Sequence, residues 1–216
     1  MNIRQKLLRN IWKISLLNLG REYKPELVTL ALIEELKKIS IYDPEHLPDE
    51  IKLNELFGLR YPAIIQVACF DTAFHTSMPA VAKMLAIPRR YQANGIKRYG
   101  FHGLSYTFLM EELKLLTDDE TANGKIILAR LGNGASLAAV KDGASIDRSM
   151  GFTPTSWLPM GTRTVDIDAA LAAYLMRSEK LNPEQFSRLI NFESGLLGIS
   201  ETSADMRKLL EVHETD

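Results

Sequence analysis

Lys125-Ile126-Ile127-Leu128-Ala129-Arg130-Leu131-Gly132-Asn133-Gly134-Ala135-Ser136-Leu137-Ala138-Ala139-Val140 is the stretch on which the fold of this chain turns. Residues 125–130 form an apolar run of strand length and read as a buried strand, residues 136–140 as a second, with Gly-Asn-Gly at the bend between them. Lys141-Asp142-Gly143 follows as a hairpin turn signal. Backbone N–H groups gathered at a glycine-rich bend between strands make a pocket that suits phosphate. Gly-Asn-Gly is equally what an ordinary hairpin turn requires, so at this level both readings stand.

Working outward toward the N-terminus, Arg98-Tyr99-Gly100-Phe101-His102-Gly103-Leu104-Ser105-Tyr106 flanks a Phe-His pair with glycines, which permits close approach of backbone to a ligand. His102 reads either as a donor to an anion or as a hydrogen-bonded core histidine. Residues 107–116 predict a helix after it. Ala63-Ile64-Ile65-Gln66-Val67-Ala68-Cys69-Phe70 predicts a further buried parallel strand, and Asp71 stands directly at its C-terminal end. That is where α/β folds place active-site groups, although an aspartate there also caps turns. Leu27–Ile39 predicts an amphipathic helix and Asp49–Phe57 a short helix ended by Gly58. The first residues alternate Arg4, Lys6, Arg9 and Lys13 with Leu7, Leu8, Ile11, Trp12 and Ile14, a pattern that fits an amphipathic helix docked on the protein or a targeting peptide. Toward the C-terminus, Asp168–Ser178 and Pro183–Ile190 predict helices, and Ser194–Gly198 predicts a loop.

Bulk properties narrow the function classes. The chain has 216 residues, 26 basic and 27 acidic, which gives no electrostatic footprint for nucleic acid. A single cysteine, Cys69, excludes an internal disulfide framework and a cysteine-based zinc site, and suits a reducing, cytoplasmic setting. No apolar run is long enough to span a bilayer, which takes about 18 residues. No Gly-x-Gly-x-x-Gly follows a strand, which disfavours a dinucleotide-binding dehydrogenase domain.

Seven segments, in order, resemble the acetokinase family of acetate, propionate and butyrate kinases. They are Phe70-Asp71-Thr72-Ala73-Phe74-His75, Arg98-Tyr99-Gly100-Phe101-His102-Gly103, Leu131-Gly132-Asn133-Gly134-Ala135-Ser136, Ser149-Met150-Gly151-Phe152-Thr153-Pro154, Met160-Gly161-Thr162-Arg163, Ser194-Gly195-Leu196-Leu197-Gly198 and Asp205-Met206-Arg207. The resemblance covers residues 21–216 and implies the α/β, ribonuclease H-like fold of actin-like ATPases, incomplete here. It implies residues 1–75 as a remnant of the first actin-like domain and 76–216 as most of the second. It further implies reversible phosphoryl transfer between ATP and a short-chain carboxylate with Mg²⁺, and homodimerisation through the second domain.

Carried over by position, the resemblance makes Asp71 the acidic residue at the metal and the substrate carboxylate, His102 a donor to the phosphoryl group, and Arg163 the cation that neutralises it. Arg130, Leu131, Gly132, Asn133 and Gly134 fall on the nucleotide phosphates, and Asp205, Met206 and Arg207 on the nucleotide. His46 falls near the substrate, and Phe101 and Pro154 on the walls of the acyl pocket. Phosphoryl transfer needs positioning and charge neutralisation more than covalent help, so histidine, arginine, an acid and glycine loops are the right materials. The chain also departs from the family. Both ends of the family sequence are missing, Ser15 takes the place of a second active-site arginine, and Arg130 that of a histidine. Glu45 takes the place of an apolar pocket residue, and Tyr106 that of another histidine. These departures leave a second expectation open: an inactive remnant acting as a weak nucleotide-binding or interaction module.

Overall fold

The computed structural model describes the backbone of residues 11–16 and residues 24–40, 46–155 and 157–212. Two small sheets organise it. In the first, β1 (Ile11–Leu16) runs parallel to the central strand β3 (Ile65–Phe70), and the short β2 (Glu26–Leu27) pairs antiparallel on the other side. Parallel pairing needs a long crossover. Here the crossover carries α1 (Leu30–Ile39) and α2 (Leu47–Arg60). Leu32, Ile33 and Leu36 of α1 and Leu47 and Ile51 of α2 close onto Ala68 and Phe70 as one buried cluster.

Several expectations change at this end. Residues 11–14 belong to a strand rather than a helix, because main-chain pairing with β3 claims them in register, Ile11 opposite Ile65 and Ser15 opposite Cys69. Residues 1–10 lie outside the described residues. Helix α1 starts three residues later than its apolar pattern, since the Thr29 hydroxyl accepts from Leu32 N–H and sets the N-cap. Helix α2 is longer than expected at both ends. Pro48 sits in its first turn, where a missing N–H costs nothing, and the helix passes through Gly58 to Arg60. Strand β3 is less buried than an interior parallel strand, with Ile65 at its exposed end.

Two short helices, α3 (Ala80–Lys83) and α4 (Arg89–Ala93), lead to α5 (Gly103–Leu116) and α6 (Asp119–Ala122). The second sheet then follows as an antiparallel meander of β4 (Lys125–Leu131), β5 (Ala135–Lys141) and β6 (Ala144–Arg148). The Asp142-Gly143 turn forms as read, both residues having positive φ. Strand β4 is not buried throughout; burial alternates along it, with Ile127 and Leu131 outward and Leu128 inward. The inward residues Leu128, Ala138 and Val140 pack on Tyr106 and Met110 of α5. The sequence reading did not identify β6. Its five residues alternate weakly, and pairing with β5 across a bulge is what makes them a strand.

The remaining helices are α7 (Ala169–Ser178), α8 (Pro183–Phe192), α9 (Gly195–Ser200) and α10 (Met206–Val212). Asp168 caps α7, and Asn182 with Gln185 forms a capping box on α8. Helix α9 replaces the expected loop at 194–198: Leu196 and Leu197 N–H donate to the Met160 and Gly161 carbonyls, seating the segment. Among the described residues no helix is long and apolar enough to cross a membrane.

In the turn after β3, a buried histidine packs against the second sheet. His75 Nε2 lies 3.0 Å from the Phe101 carbonyl and Nδ1 lies 2.8 Å from Ser145 Oγ. A carbonyl only accepts, so Nε2 carries the proton and Ser145 donates to Nδ1. Burial pushes this imidazole down to about 4, with the neighbouring Arg148 and His102 adding to the effect. Above about pH 6.5 it is neutral folded or unfolded. As pH falls from there toward 4 only the unfolded chain takes the proton, so stability drops, by about 3 kcal/mol at most from this group. Urea denaturation between pH 7 and 4 should show that decline, and His75→Asn should make it shallower, the part due to His102 remaining.

Candidate active site

Asp71, at the C-terminal end of β3, is what seats the His102 loop. Its carboxylate accepts the backbone N–H of His102, at 2.5 Å, and that of Leu104, at 3.3 Å, while its own carbonyl accepts Gly103 N–H at 2.7 Å. The carboxylate therefore sits on the first N–H groups of α5, where the helix dipole favours a negative charge. The capping reading of Asp71 is correct in chemistry, but the helix capped lies 31 residues further on. Both flanking glycines are required: a Cβ at Gly103 would stand 2.2 Å from the Asp71 carbonyl oxygen, and one at Gly100 2.3 Å from Arg148 Cδ.

Held this way, His102 takes a left-handed backbone conformation, φ 61°, and its ring turns toward the β4–β5 hairpin. The three-residue loop 132–134 fixes the hairpin register so that Arg130 stands opposite Ser136 on the inner face. His102 Nδ1 lies 2.7 Å from Ser136 Oγ, and Nε2 lies 3.0 Å from Arg130 Nη1. Arg130 Nη1 also donates to the Gly134 carbonyl at 3.2 Å. The buried Tyr106 hydroxyl meets Ser136 Oγ from behind. Burial is the first cause, and Arg130 the second, that pushes the His102 imidazole down to about 4; Asp71 opposes them and Arg163 adds to them. The ring is neutral at pH 7.

Arg163 approaches from the other side. Its Nη2 lies 3.2 Å from His46 Nε2, joining residues 117 apart in the chain. The segment carrying it is held by Thr164 N–H on the Ile190 carbonyl and Ser194 N–H on the Thr162 carbonyl. Beside the glycine loop opens a cleft of about 680 Å³ lined by Gly132, Asn133, Met160, Gly161 and the run Asp205-Met206-Arg207. Gly161 N–H donates to the Asn133 carbonyl at 3.1 Å and fixes that wall. Arg207 pairs with Asp205 at 2.8 Å, an arrangement that holds the Asp205 carboxyl below the usual carboxylate range. Residues 17–216 match the acetokinase family. The chain belongs to that family.

Its relatives are informative about extent. This acetokinase-family chain is 40% identical over 193 residues to the acetate kinase of Rickettsia akari, covering 89% of this chain and 50% of the relative. It is 42% identical over 187 residues to the acetate kinase of Methylocella silvestris, covering 86% and 46%. Among solved structures it is similar to a propionate kinase from Francisella tularensis, with TM-score 0.87 and 35% identity, covering 99% of this chain and 56% of that one. It is also similar to the acetate kinase of Porphyromonas gingivalis, with TM-score 0.84 and 34% identity, covering 95% and 52%. The acetokinase chain thus has the α/β fold of actin-like ATPases and spans about half the length of the relatives it matches.

Of the candidate residues, the structure joins Asp71, His102 and Arg130 in one hydrogen-bonded group, Arg163 and His46 in another, and Gly132 and Asn133 with Asp205–Arg207 in a cleft. Phe101 is 3% exposed and packs with Tyr99, Met150 and Met160, while Pro154 is half-buried. Ser136 and Tyr106 were not assigned roles from sequence; pairing Arg130 with Ser136 across a three-residue loop was the signal that could have found the serine. Ser15 lies in β1, and Glu45 lies outside the described residues. Among the described residues no three His, Cys, Asp or Glu side chains form a metal cage. Asp71 offers a single half-buried carboxylate, a donor set that suits Mg²⁺ carried mainly by phosphate oxygens and water.

Proposed function

We propose that this site transfers a phosphoryl group reversibly between ATP and a short-chain carboxylate. The supporting observation is that Arg163, from the Met-Gly-Thr-Arg segment, reaches His46 and lies near enough to His102 to act on its protonation. Arg130 donates to the Gly134 carbonyl of the glycine loop, so arginines from two distant segments act on the surroundings of His102. The loop residues Gly132, Asn133 and Gly134 hold the nucleotide phosphates, and Asp205, Met206 and Arg207 hold the nucleotide. His46 takes the carboxylate end of the acceptor, and Phe101 and Pro154 bound its acyl chain.

In the forward direction a carboxylate oxygen bonds to the terminal phosphorus as the bond to the ADP oxygen breaks. Charge spreads over the three remaining oxygens, and Arg163 and Arg130 stabilise it. Asp71 would be the residue that holds a Mg²⁺ ion carried by the nucleotide, and the ion would supply further neutralisation of that charge. Arg130 stands in for the family's histidine and brings a permanent charge in a fork geometry.

The test is acyl-phosphate formation trapped with hydroxylamine, using the whole chain, MgATP and acetate, propionate or butyrate. Hydroxamate should appear and should be abolished by His102→Ala. ATP binding by calorimetry without hydroxamate would instead favour a nucleotide-binding module, and absence of both would overturn the proposal.

A further inference from the structure

His102 has no nitrogen left over for a ligand. Arginine only donates, so the 3.0 Å contact from Arg130 Nη1 requires a lone pair on Nε2. A proton on Nε2 would set two donors against each other. The ring proton must then lie on Nδ1, which faces Ser136 Oγ at 2.7 Å. Ser136 is fully buried and can accept there because a hydroxyl oxygen has two lone pairs. Its other contact is the equally buried Tyr106 hydroxyl, which keeps the oxygen in place. Arg130 Nη1 is meanwhile fully committed, one hydrogen to His102 and one to the Gly134 carbonyl.

We propose that Ser136, backed by Tyr106, is a positioning residue that fixes His102 as its Nδ1–H tautomer, so that Nε2 orients Arg130 and the guanidinium, not the imidazole, meets the phosphoryl group. This rests on the phosphoryl-transfer reading of the site and reassigns the donor within it. The relay starts from a buried hydroxyl pair, passes through a neutral ring and ends on a cation at the mouth of the glycine loop. Orientation of that kind matters because an arginine loses rotamer freedom when it is aimed, and prior aiming removes that cost from the reaction.

The experiment reads the tautomer directly and needs no turnover. Two-bond proton–nitrogen NMR correlations of the nitrogen-labelled chain at pH 7, with His102 assigned from the signal lost in His102→Gln, should show a protonated Nδ1 and an unprotonated Nε2. Arg130→Met should move the ring toward the Nε2–H form, Ser136→Ala should weaken the Nδ1–H preference without reversing it because Arg130 still donates, and Arg130→Lys, which also donates, should keep the parent pattern. Tyr106→Phe keeps the packing and should loosen the preference. A parent ring protonated on Nε2 would overturn the proposal, as would a tautomer unmoved in both Arg130→Met and Ser136→Ala. If the chain turns over, Ser136→Ala should lower kcat by about tenfold or more while leaving KM for ATP within twofold. A pure rise in KM would count against it.

Discussion

Replacing Gly103 by alanine should destabilise the chain by about 3 kcal/mol or more, as a side chain forced against backbone does when neither can yield. The added methyl would stand 2.2 Å from the Asp71 carbonyl oxygen and 3.0 Å from Phe74 Cβ. To avoid it, α5 must lift away from the end of β3. That movement breaks the Gly103 N–H bond to Asp71 and the two bonds its carboxylate accepts from His102 and Leu104. Urea midpoints read the loss. Gly132→Ala is the control, since its methyl meets only the Gly134 carbonyl at an ordinary 3.5 Å. Equal midpoints for the two variants would mean that α5 does not depend on its seat at Asp71.

Arg163→Ala should reduce kcat for acyl-phosphate formation by about a thousandfold or more, the scale at which single cations act on phosphoryl transfer. The argument rests on where charge develops. In the proposed reaction, charge in the transition state spreads over the three oxygens of the phosphoryl group in transfer, and Arg163, which meets His46, would neutralise it there rather than in the ground state. The effect should therefore fall on kcat, with KM for ATP changed little. Arg163→Lys should recover part of the rate, because a point charge neutralises without the fork. A variant that loses only ATP affinity would place Arg163 on the nucleotide and not on the group transferred.

Local features were readable because their causes are local. Asp168 and Asn182 cap helices through bonds to N–H groups two or three residues away. Asp142-Gly143 turns a hairpin through its own dihedral preferences. The order of Asp71, His102, the glycine loop, Arg163 and Asp205 pointed to the family before any fold was known. Where the reading failed, a distant partner was responsible. Residues 11–14 carry a helical pattern of charge, yet pair with residues more than fifty positions away. Ser194–Gly198 reads as a loop, yet Gly195–Ser200 forms a helix because the carbonyls of Met160 and Gly161 receive the N–H groups of Leu196 and Leu197.

By itself the sequence determined the family, the longer helices, the strands β3, β4 and β5, and the residue types available for phosphate chemistry. Periodicity, caps and motifs are properties of neighbours along the chain, and a linear text records them. Only the tertiary structure decided what those residues do to one another: that Asp71 grips the backbone of His102, that the imidazole faces Arg130 and Ser136, and that Arg163 meets His46. Such contacts depend on hydrogen-bond distances between segments many residues apart, set by hairpin register and helix seating, and no spacing in the sequence encodes them.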